Sequence, residues 1–153
     1  ETALGRSEAD IMQYLAQRSR DHGRTPMQWN EAPLAGFTTG KPWIKVNPNY
    51  PQINVEQSLQ DEDSVLQFYR QLIKLRRENQ ALVYGDYDEI YKDSNEIGGY
   101  VRTYGEERWT VLCNFTDQTV RVSTPDAEFV VVSNIKDHAE GMLKPYEAVI
   151  YKS

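Results

Sequence analysis

The sequence is poor in cysteine and in long apolar runs. Its single cysteine, Cys113, excludes an internal disulfide, and the surrounding residues (TVLCNF) predict a buried structural thiol rather than a nucleophile. No apolar run approaches the roughly 20 residues of a membrane-spanning helix, and no signal-peptide pattern opens the chain. We therefore expect a cytoplasmic protein that does not contact a membrane.

Positive charge and histidine are also scarce. The 153 residues include 17 Lys and Arg against 23 Asp and Glu, which gives a formal net charge of −6. A chain of this charge is repelled by phosphate backbones, so nucleic acid is not an expected partner. His22 is one of only two histidines and has no second ligand or catalytic partner nearby. We therefore expect neither a metal site nor a cofactor.

The first sixty residues contain one short helix and a long irregular segment. The sequence predicts a helix over residues 7–19, with Ser7 as N-cap and Asp10 at the reciprocal position. Residues 20–63 carry five prolines and show no periodic pattern apart from a short helical turn over 53–59. Recurring aromatic residues argue against disorder, so we expect this segment to pack over a larger scaffold.

The clearest helix is predicted over residues 64–79. Ser64 and Gln67 match a capping box at its start, and basic residues occupy its last turns. Its apolar residues recur at helical spacing and form one broad face: Val65, Leu66, Phe68, Tyr69, Leu72, Ile73 and Leu75. Such a face must be covered on more than one side. Left uncovered, helix 64–79 would allow the chain to self-associate.

From residue 84 onward the apolar pattern changes to the two-residue period of strands. Turn residues separate six candidate strands, at 86–92, 99–104, 108–115, 118–124, 128–134 and 146–152. Short strands at this spacing predict an all-β antiparallel sandwich.

Four stretches have a distinctive composition and follow one another in a fixed order. They are residues 19–29 (SRDHGRTPMQW), 35–43 (AGFTTGKPW), 46–50 (VNPNY) and 100–104 (YVRTY). In composition, order and spacing these stretches resemble the α-amylase superfamily, glycoside hydrolase family 13. The resemblance covers nearly the whole chain. It is closest to the subgroup of oligo-1,6-glucosidase, dextran glucosidase and the bacterial α-glucosidases.

This resemblance implies an α+β fragment with two parts. Residues 1–83 would be the C-terminal end of a (β/α)8 catalytic barrel: a helix, a loop at the active-site face and the last barrel helix. Barrel active sites lie at this face. Residues 84–153 would form the C-terminal β-sandwich domain.

The resemblance also implies a glycosidase of carbohydrate metabolism. The parent enzyme would hydrolyse α-1,6- and also α-1,4-linked gluco-oligosaccharides with retention, which requires a carboxylate nucleophile and a carboxylic acid/base. In the family these carboxylates lie on earlier barrel strands. None of the 23 Asp and Glu residues here matches those motifs, so we assign no catalytic residue and expect this chain alone to be inactive.

Arg24 is the candidate substrate-binding residue. It matches the family arginine that helps to hold the terminal glucose, and a guanidinium fork suits a sugar hydroxyl and an adjacent carboxylate. The alternative for Arg24 is a structural ion pair. Arg20 and Asp21 are expected to shape the loop as a pair. Trp29 is expected to anchor the loop, with stacking on a sugar ring as its alternative.

Two other classes of function stay open. The chain could be a stand-alone carbohydrate-binding or structural β-sandwich module. Within the enzyme class it could belong to a trehalose synthase or a sucrose isomerase, since these enzymes share relatives of the motif at residues 24–29.

Overall fold

The computed structural model describes residues 5–123 and 129–153, and it divides into two compact units. The first unit ends at Gln67 and the second begins at Phe68. The predicted domain boundary between residues 83 and 84 refers to the parent enzyme and stays a prediction. Within the described ranges no helix is long and apolar enough to cross a membrane.

The first unit begins with helix α1, Glu8–Arg18. The Asp10 amide donates to Ser7 Oγ over 3.1 Å, and Ser7 Oγ donates to Asp10 Oδ2 over 2.6 Å. This confirms Ser7 as the predicted N-cap. No residue of α1 is buried, so its apolar side is left without cover in the described chain.

The long segment after α1 is held by short turns. Two 3-10 turns occur at Asp21–Gly23 and Pro33–Gly36, and helix α2 spans Val55–Gln60. The helical turn predicted over 53–59 is therefore confirmed, with Asn54 as its N-cap. Gly36 has a φ of 64°, a left-handed conformation that favours glycine, and a Cβ there would lie 2.5 Å from the Asn30 amide oxygen.

Helix α3 spans Val65–Glu78 and confirms the helix predicted over 64–79. The capping box is half formed. The Gln67 amide donates to Ser64 Oγ over 3.3 Å, but the Gln67 side chain donates to the Leu59 carbonyl instead of closing the box. A further helix, α4 at Gln80–Tyr84, was not predicted because five residues are too few for a visible period.

Helix α4 leads into the sheet through Gly85. A Cβ at this position would lie 2.5 Å from the Ala81 carbonyl oxygen and 2.8 Å from that of Thr103, so only glycine allows the close approach. The strands that follow are β1 Asp86–Ile90, β2 Ile97–Tyr104, β3 Glu107–Asn114, β4 Val120–Arg121, β5 Phe129–Ser133, β6 Met142–Leu143 and β7 Ala148–Lys152.

Five strands form an antiparallel sheet in the order β1-β2-β3-β7-β5, and β4 pairs with β6 in a separate two-stranded sheet. Each predicted strand overlaps an observed one, although the strand predicted over 118–124 shortens to two residues. Residues 124 and 128 of the predicted strands lie outside the described residues. Strand β6 was missed, because two residues carry no alternating pattern.

The two faces of the five-stranded sheet pack against different elements. Leu112, Val149 and Tyr151 on one face join Val120 and Leu143 of the two-stranded sheet in a buried cluster. On the other face, Trp109 packs against Ala81 and Leu82 of α4. The predicted combination of helices with an antiparallel sheet is confirmed. Its description as a barrel end joined to a sandwich stays a proposal.

Candidate functional site

The candidate site lies in residues 19–29, directly after α1. Ser19 ends the helix in an extended conformation, and its amide donates to the Leu15 carbonyl over 2.9 Å. The Arg20 carbonyl then accepts from the Gly23 amide over 3.1 Å, and the Asp21 carbonyl accepts from the Arg24 amide over 3.0 Å. The backbone of Arg20 and Asp21 therefore turns the chain sharply just before Arg24.

The side chains of these residues point to solvent. Arg20, Asp21 and Arg24 are exposed, and within residues 5–123 and 129–153 no hydrogen bond or ion pair involves their side chains. The loop-shaping pair of Arg20 and Asp21 accordingly stays a prediction. No described residue occupies the guanidinium donors of Arg24, so they can bind a ligand.

Trp29 is fixed through its backbone. Its amide donates to the Ala35 carbonyl over 2.9 Å, and its carbonyl accepts from the Glu56 amide over 3.0 Å. The Gln28 carbonyl accepts from the Val55 amide over 2.9 Å. Residues 28 and 29 thus connect the turn at Ala35 to the start of α2. The Trp29 ring is half exposed, and its role stays a prediction.

Gln28 links more of this segment than sequence analysis had indicated. Its side-chain amide donates to Asn49 Oδ1 over 3.1 Å and also to the Ile53 carbonyl. Pro26, two residues earlier, is buried. The position of Gln28 inside the family motif was the one sequence signal for its role. Helical or strand periodicity could not reveal that role, because Gln28 lies in an irregular segment.

A cleft opens beside this part of the motif, within the first unit. Its volume is about 350 Å³. Most of its lining is apolar, and it consists of Thr25, Pro26, Met27, Gln28, Ile53, Asn54, Val55, Ser58 and Leu66. The cleft provides a shaped surface next to the motif, and its polar groups are the Gln28 and Asn54 amides and the Thr25 and Ser58 hydroxyls.

The arginines of this site are groups suited to ligand binding. Two exposed arginines, Arg20 and Arg24, can donate to sugar hydroxyls or carboxylates. The described part of the chain contains no group of three or more His, Cys, Asp or Glu residues that could hold a metal ion. Cys113 is partly buried rather than buried as predicted. That burial raises the pKa of its thiol, which keeps the thiol protonated, and its structural role stays a prediction.

One buried polar cluster in the second unit has no signal in the sequence. Glu147 is fully buried. Its carboxylate accepts from the Lys144 amide at 2.7 Å, from Ser133 Oγ at 3.0 Å and from His138 Nδ1 at 2.7 Å. The Tyr151 hydroxyl lies 2.9 Å from the other nitrogen of the His138 ring. These contacts are internal and hold the ends of β5 and β7 together.

Comparison with known proteins places this arrangement in a family. Residues 2–85 match the family model described as alpha amylase, catalytic domain. The chain belongs to the α-amylase family. The predicted resemblance is thereby confirmed, and the matched range contains the whole candidate site.

Relatives from this family match nearly the full chain. Oligo-1,6-glucosidase from Bacillus cereus is 43% identical over 151 residues, which cover 93% of this chain and 27% of that protein. The crystal structure of trehalose-6-phosphate hydrolase from Bacillus licheniformis is 38% identical with a TM-score of 0.89, covering 99% of this chain and 29% of that one. Isomaltulose synthase from a Klebsiella species gives 38% identity, a TM-score of 0.87 and the same coverage.

The chain therefore spans between a quarter and a third of the length of the α-amylase family proteins that it matches. Two of these relatives carry names of hydrolases and one that of a synthase. The relatives confirm the prediction that this family includes glycosidases.

Proposed function

We propose that this chain is the C-terminal part of a retaining α-glucosidase that hydrolyses α-1,6-linked gluco-oligosaccharides, and also α-1,4-linked ones. Its substrate-binding residue is Arg24. The catalytic carboxylates belong to the parent enzyme outside these 153 residues. This chain alone is inactive, because a binding loop cannot supply the nucleophile and the acid/base that retention requires.

The observation that carries the proposal is the similarity to an oligo-1,6-glucosidase over almost the whole chain, at 43% identity. The match to the catalytic-domain family ends at residue 85, close to the proposed boundary between residues 83 and 84. That agreement supports residues 1–83 as the end of the barrel and residues 84–153 as a separate β-sandwich domain.

The geometry of the motif supports binding by Arg24. The 3-10 turn at Asp21–Gly23 presents an exposed guanidinium, and the backbone bonds of residues 28 and 29 hold the other end of the motif in place. A structural ion pair, the alternative for this residue, would need a carboxylate near the guanidinium. None is bonded to it in the described part of the chain.

A second candidate is a related reaction within the same family. Trehalose-6-phosphate hydrolase and isomaltulose synthase match the chain with equal identity, 38%, and almost equal TM-scores. The main alternative to the proposed α-glucosidase is therefore a sucrose isomerase or a trehalose-6-phosphate hydrolase. A stand-alone sugar-binding sandwich is less well supported, because Trp109, the one tryptophan of the second unit, is buried.

The test uses the complete polypeptide whose sequence contains these residues. It would be assayed on isomaltose, maltose, sucrose and trehalose 6-phosphate, with product analysis that separates hydrolysis from isomerisation. We expect glucose from isomaltose with retained anomeric configuration. Isomaltulose or trehalulose from sucrose, or exclusive use of trehalose 6-phosphate, would replace the proposal by its rival.

The 153-residue chain is assayed beside it on isomaltose. We expect no turnover above that of a mock purification from cells without the expressed chain. Turnover that copurifies with the chain would contradict the assignment of the catalytic carboxylates to the rest of the parent enzyme.

A further inference from the structure

A cavity of about 410 Å³ lies within the second unit, between α3 and the face of the five-stranded sheet that carries Trp109. The sheet register places Tyr100, Val111 and Ile150 side by side on one wall, and Phe68 and Leu72 of α3 form part of another. This volume is in the usual range for small-molecule sites, about 300–1,000 Å³.

Two guanidinium groups interrupt this apolar lining. Arg102 Nη2 donates to the Val83 carbonyl over 3.1 Å, whereas its Nε is buried and has no hydrogen-bond partner. Arg76 donates to the Leu82 carbonyl. Neither arginine forms an ion pair with any of the described residues.

A buried donor without a partner is unfavourable. Arg102 is partly buried and supplies such a donor in its Nε, whereas Arg76 is exposed and its charge is hydrated. The lining of the cavity therefore contains positive charge that no described residue neutralises. Both arginines line the same cavity as Tyr100. Burial raises the pKa of Tyr100 on the cavity wall, and the charges of Arg102 and Arg76 oppose that rise.

We propose that this cavity binds a small hydrophobic carboxylate. Its ring or alkyl body fills the space against Phe68, Leu72 and Val111, and its carboxylate accepts hydrogen bonds from the guanidinium of Arg102, with Arg76 adding charge. A neutral alcohol of the same shape gains the apolar contacts but offers the buried Nε donor only an uncharged acceptor, which forms the weaker hydrogen bond. The inference is independent of the reaction of the parent enzyme.

Calorimetric titration of the 153-residue chain with 2-naphthoate and with 2-naphthalenemethanol tests this selectivity. The two probes share the ring and differ in the charge. We expect the carboxylate to bind at least about tenfold more tightly, the scale of one charged hydrogen bond. Equal affinities would overturn the proposal, and so would an absence of binding by the carboxylate.

Two matched variants test the role of Arg102. Arg102→Gln should remove the preference for the carboxylate and leave the affinity for the alcohol unchanged. Arg77→Gln removes the same charge from an exposed position on α3 that does not line the cavity, and it should bind both probes as the original chain does. Equal loss of affinity in both variants would show general electrostatic attraction and overturn the proposal.

Cys113 reports on the location of binding, because it lines the cavity and is the single cysteine. At about ten times the Kd, bound 2-naphthoate should slow its alkylation by iodoacetamide about tenfold. Unchanged alkylation with the probe bound would overturn the proposal. If the thiol is unreactive in the free chain, the Ala148→Leu variant replaces this test. The larger side chain narrows the cavity, so a variant with unaltered circular dichroism should bind 2-naphthoate more weakly. Unchanged binding by that variant would also overturn the proposal.

Discussion

Charge at the scale of single residues is used in two opposite ways. Arg24 is exposed and bonded to nothing in the described chain, so its charge costs little to maintain and is free to meet a ligand. The carboxylate of Glu147 is fully buried and accepts from three donors. Removing the Arg24 side chain should change ligand binding and leave stability unchanged. Removing the Glu147 side chain should change stability.

Arg24→Ala in the parent enzyme should lower kcat/KM by about 10- to 150-fold, because a charged hydrogen bond contributes about 1.5–3 kcal/mol. Arg24→Lys should restore only part of that loss, since an ammonium keeps the charge and lacks the fork. The Tm should stay unchanged in both variants. Steady-state kinetics and thermal melting on the same preparations measure the two effects.

Lys41→Ala is the matched control, since it removes an exposed cation from the same irregular segment. It should leave kcat/KM unchanged. A near-normal kcat/KM for Arg24→Ala, or a fall in Tm that accounts for its lost activity, would assign Arg24 a structural role instead.

Glu147→Ala should destabilise the chain by about 3–5 kcal/mol, because it strands a buried histidine, a hydroxyl and a backbone amide without their acceptor. A loss of that size is a large share of an ordinary domain's stability of about 5–15 kcal/mol. Urea denaturation followed by tryptophan fluorescence measures it. Glu106→Ala, at an exposed position in the turn between β2 and β3, should shift the midpoint little. A similar midpoint for both variants would contradict the importance of the cluster.

At the scale of elements, helix α3 has one part of its apolar face partly buried and leaves the other part bare. Leu75 packs against the core around Trp109, and Phe68 and Leu72 line the cavity. In contrast, Val65, Tyr69 and Ile73 are 82%, 64% and 48% exposed. An apolar stripe of this kind is typical of a surface that a partner or a further part of the protein covers.

The 153-residue chain should therefore self-associate through the bare stripe of α3. Tyr69→Ser combined with Ile73→Ser should weaken dimerisation at least about tenfold, since each large side chain contributes about 1.5–3 kcal/mol when fully buried. Sedimentation velocity at several concentrations measures the change. Gln71→Ser with Lys74→Ser alters two exposed polar positions on the same helix and should leave association intact. A concentration-independent monomer would contradict the prediction.

At the scale of the whole molecule, the second unit wholly or partly buries several groups that are neutral only while protonated. Burial raises the pKa of Tyr151, with nearby Glu147 and Glu140 adding to the effect, to about 12. Burial also raises the pKa values of Tyr100 and Cys113. A raised pKa means that the folded chain holds the proton more tightly than the unfolded chain does, so folding is favoured below the unfolded pKa values.

Stability should consequently fall as the pH rises from about 9 towards 12, because the unfolded chain releases these protons first. Urea midpoints between pH 8 and pH 11.5 measure the decline. Tyr151→Phe loses the hydrogen bond to His138, so its urea midpoint at pH 8 should be lower. Because the variant also lacks one of the titrating groups, its midpoint should fall less steeply as the pH rises. A midpoint that stays level to pH 11.5 would contradict the expectation.

Several features of this chain were determined by its sequence alone. Ser7 and Asp10 start α1, and residues 64–79 contain α3, because capping and helical spacing are local patterns that a few neighbouring residues fix. The alternating stretches after residue 84 located six of the seven strands found in the described ranges. The motif at residues 19–29 predicted the family, which the match over residues 2–85 confirmed.

Other features were decided only by tertiary structure. The broad apolar face of α3 is partly buried along Phe68, Leu72 and Leu75 and bare along Tyr69, and its composition is similar on both sides. Glu147 looks like an ordinary surface acid in the sequence, yet its side chain lies among donors that arrive from β5 and from the loop before β6. The two-residue strand β6 exists because β4 lies beside it. In each case the free energy depends on which distant surfaces come into contact, and no local pattern records that.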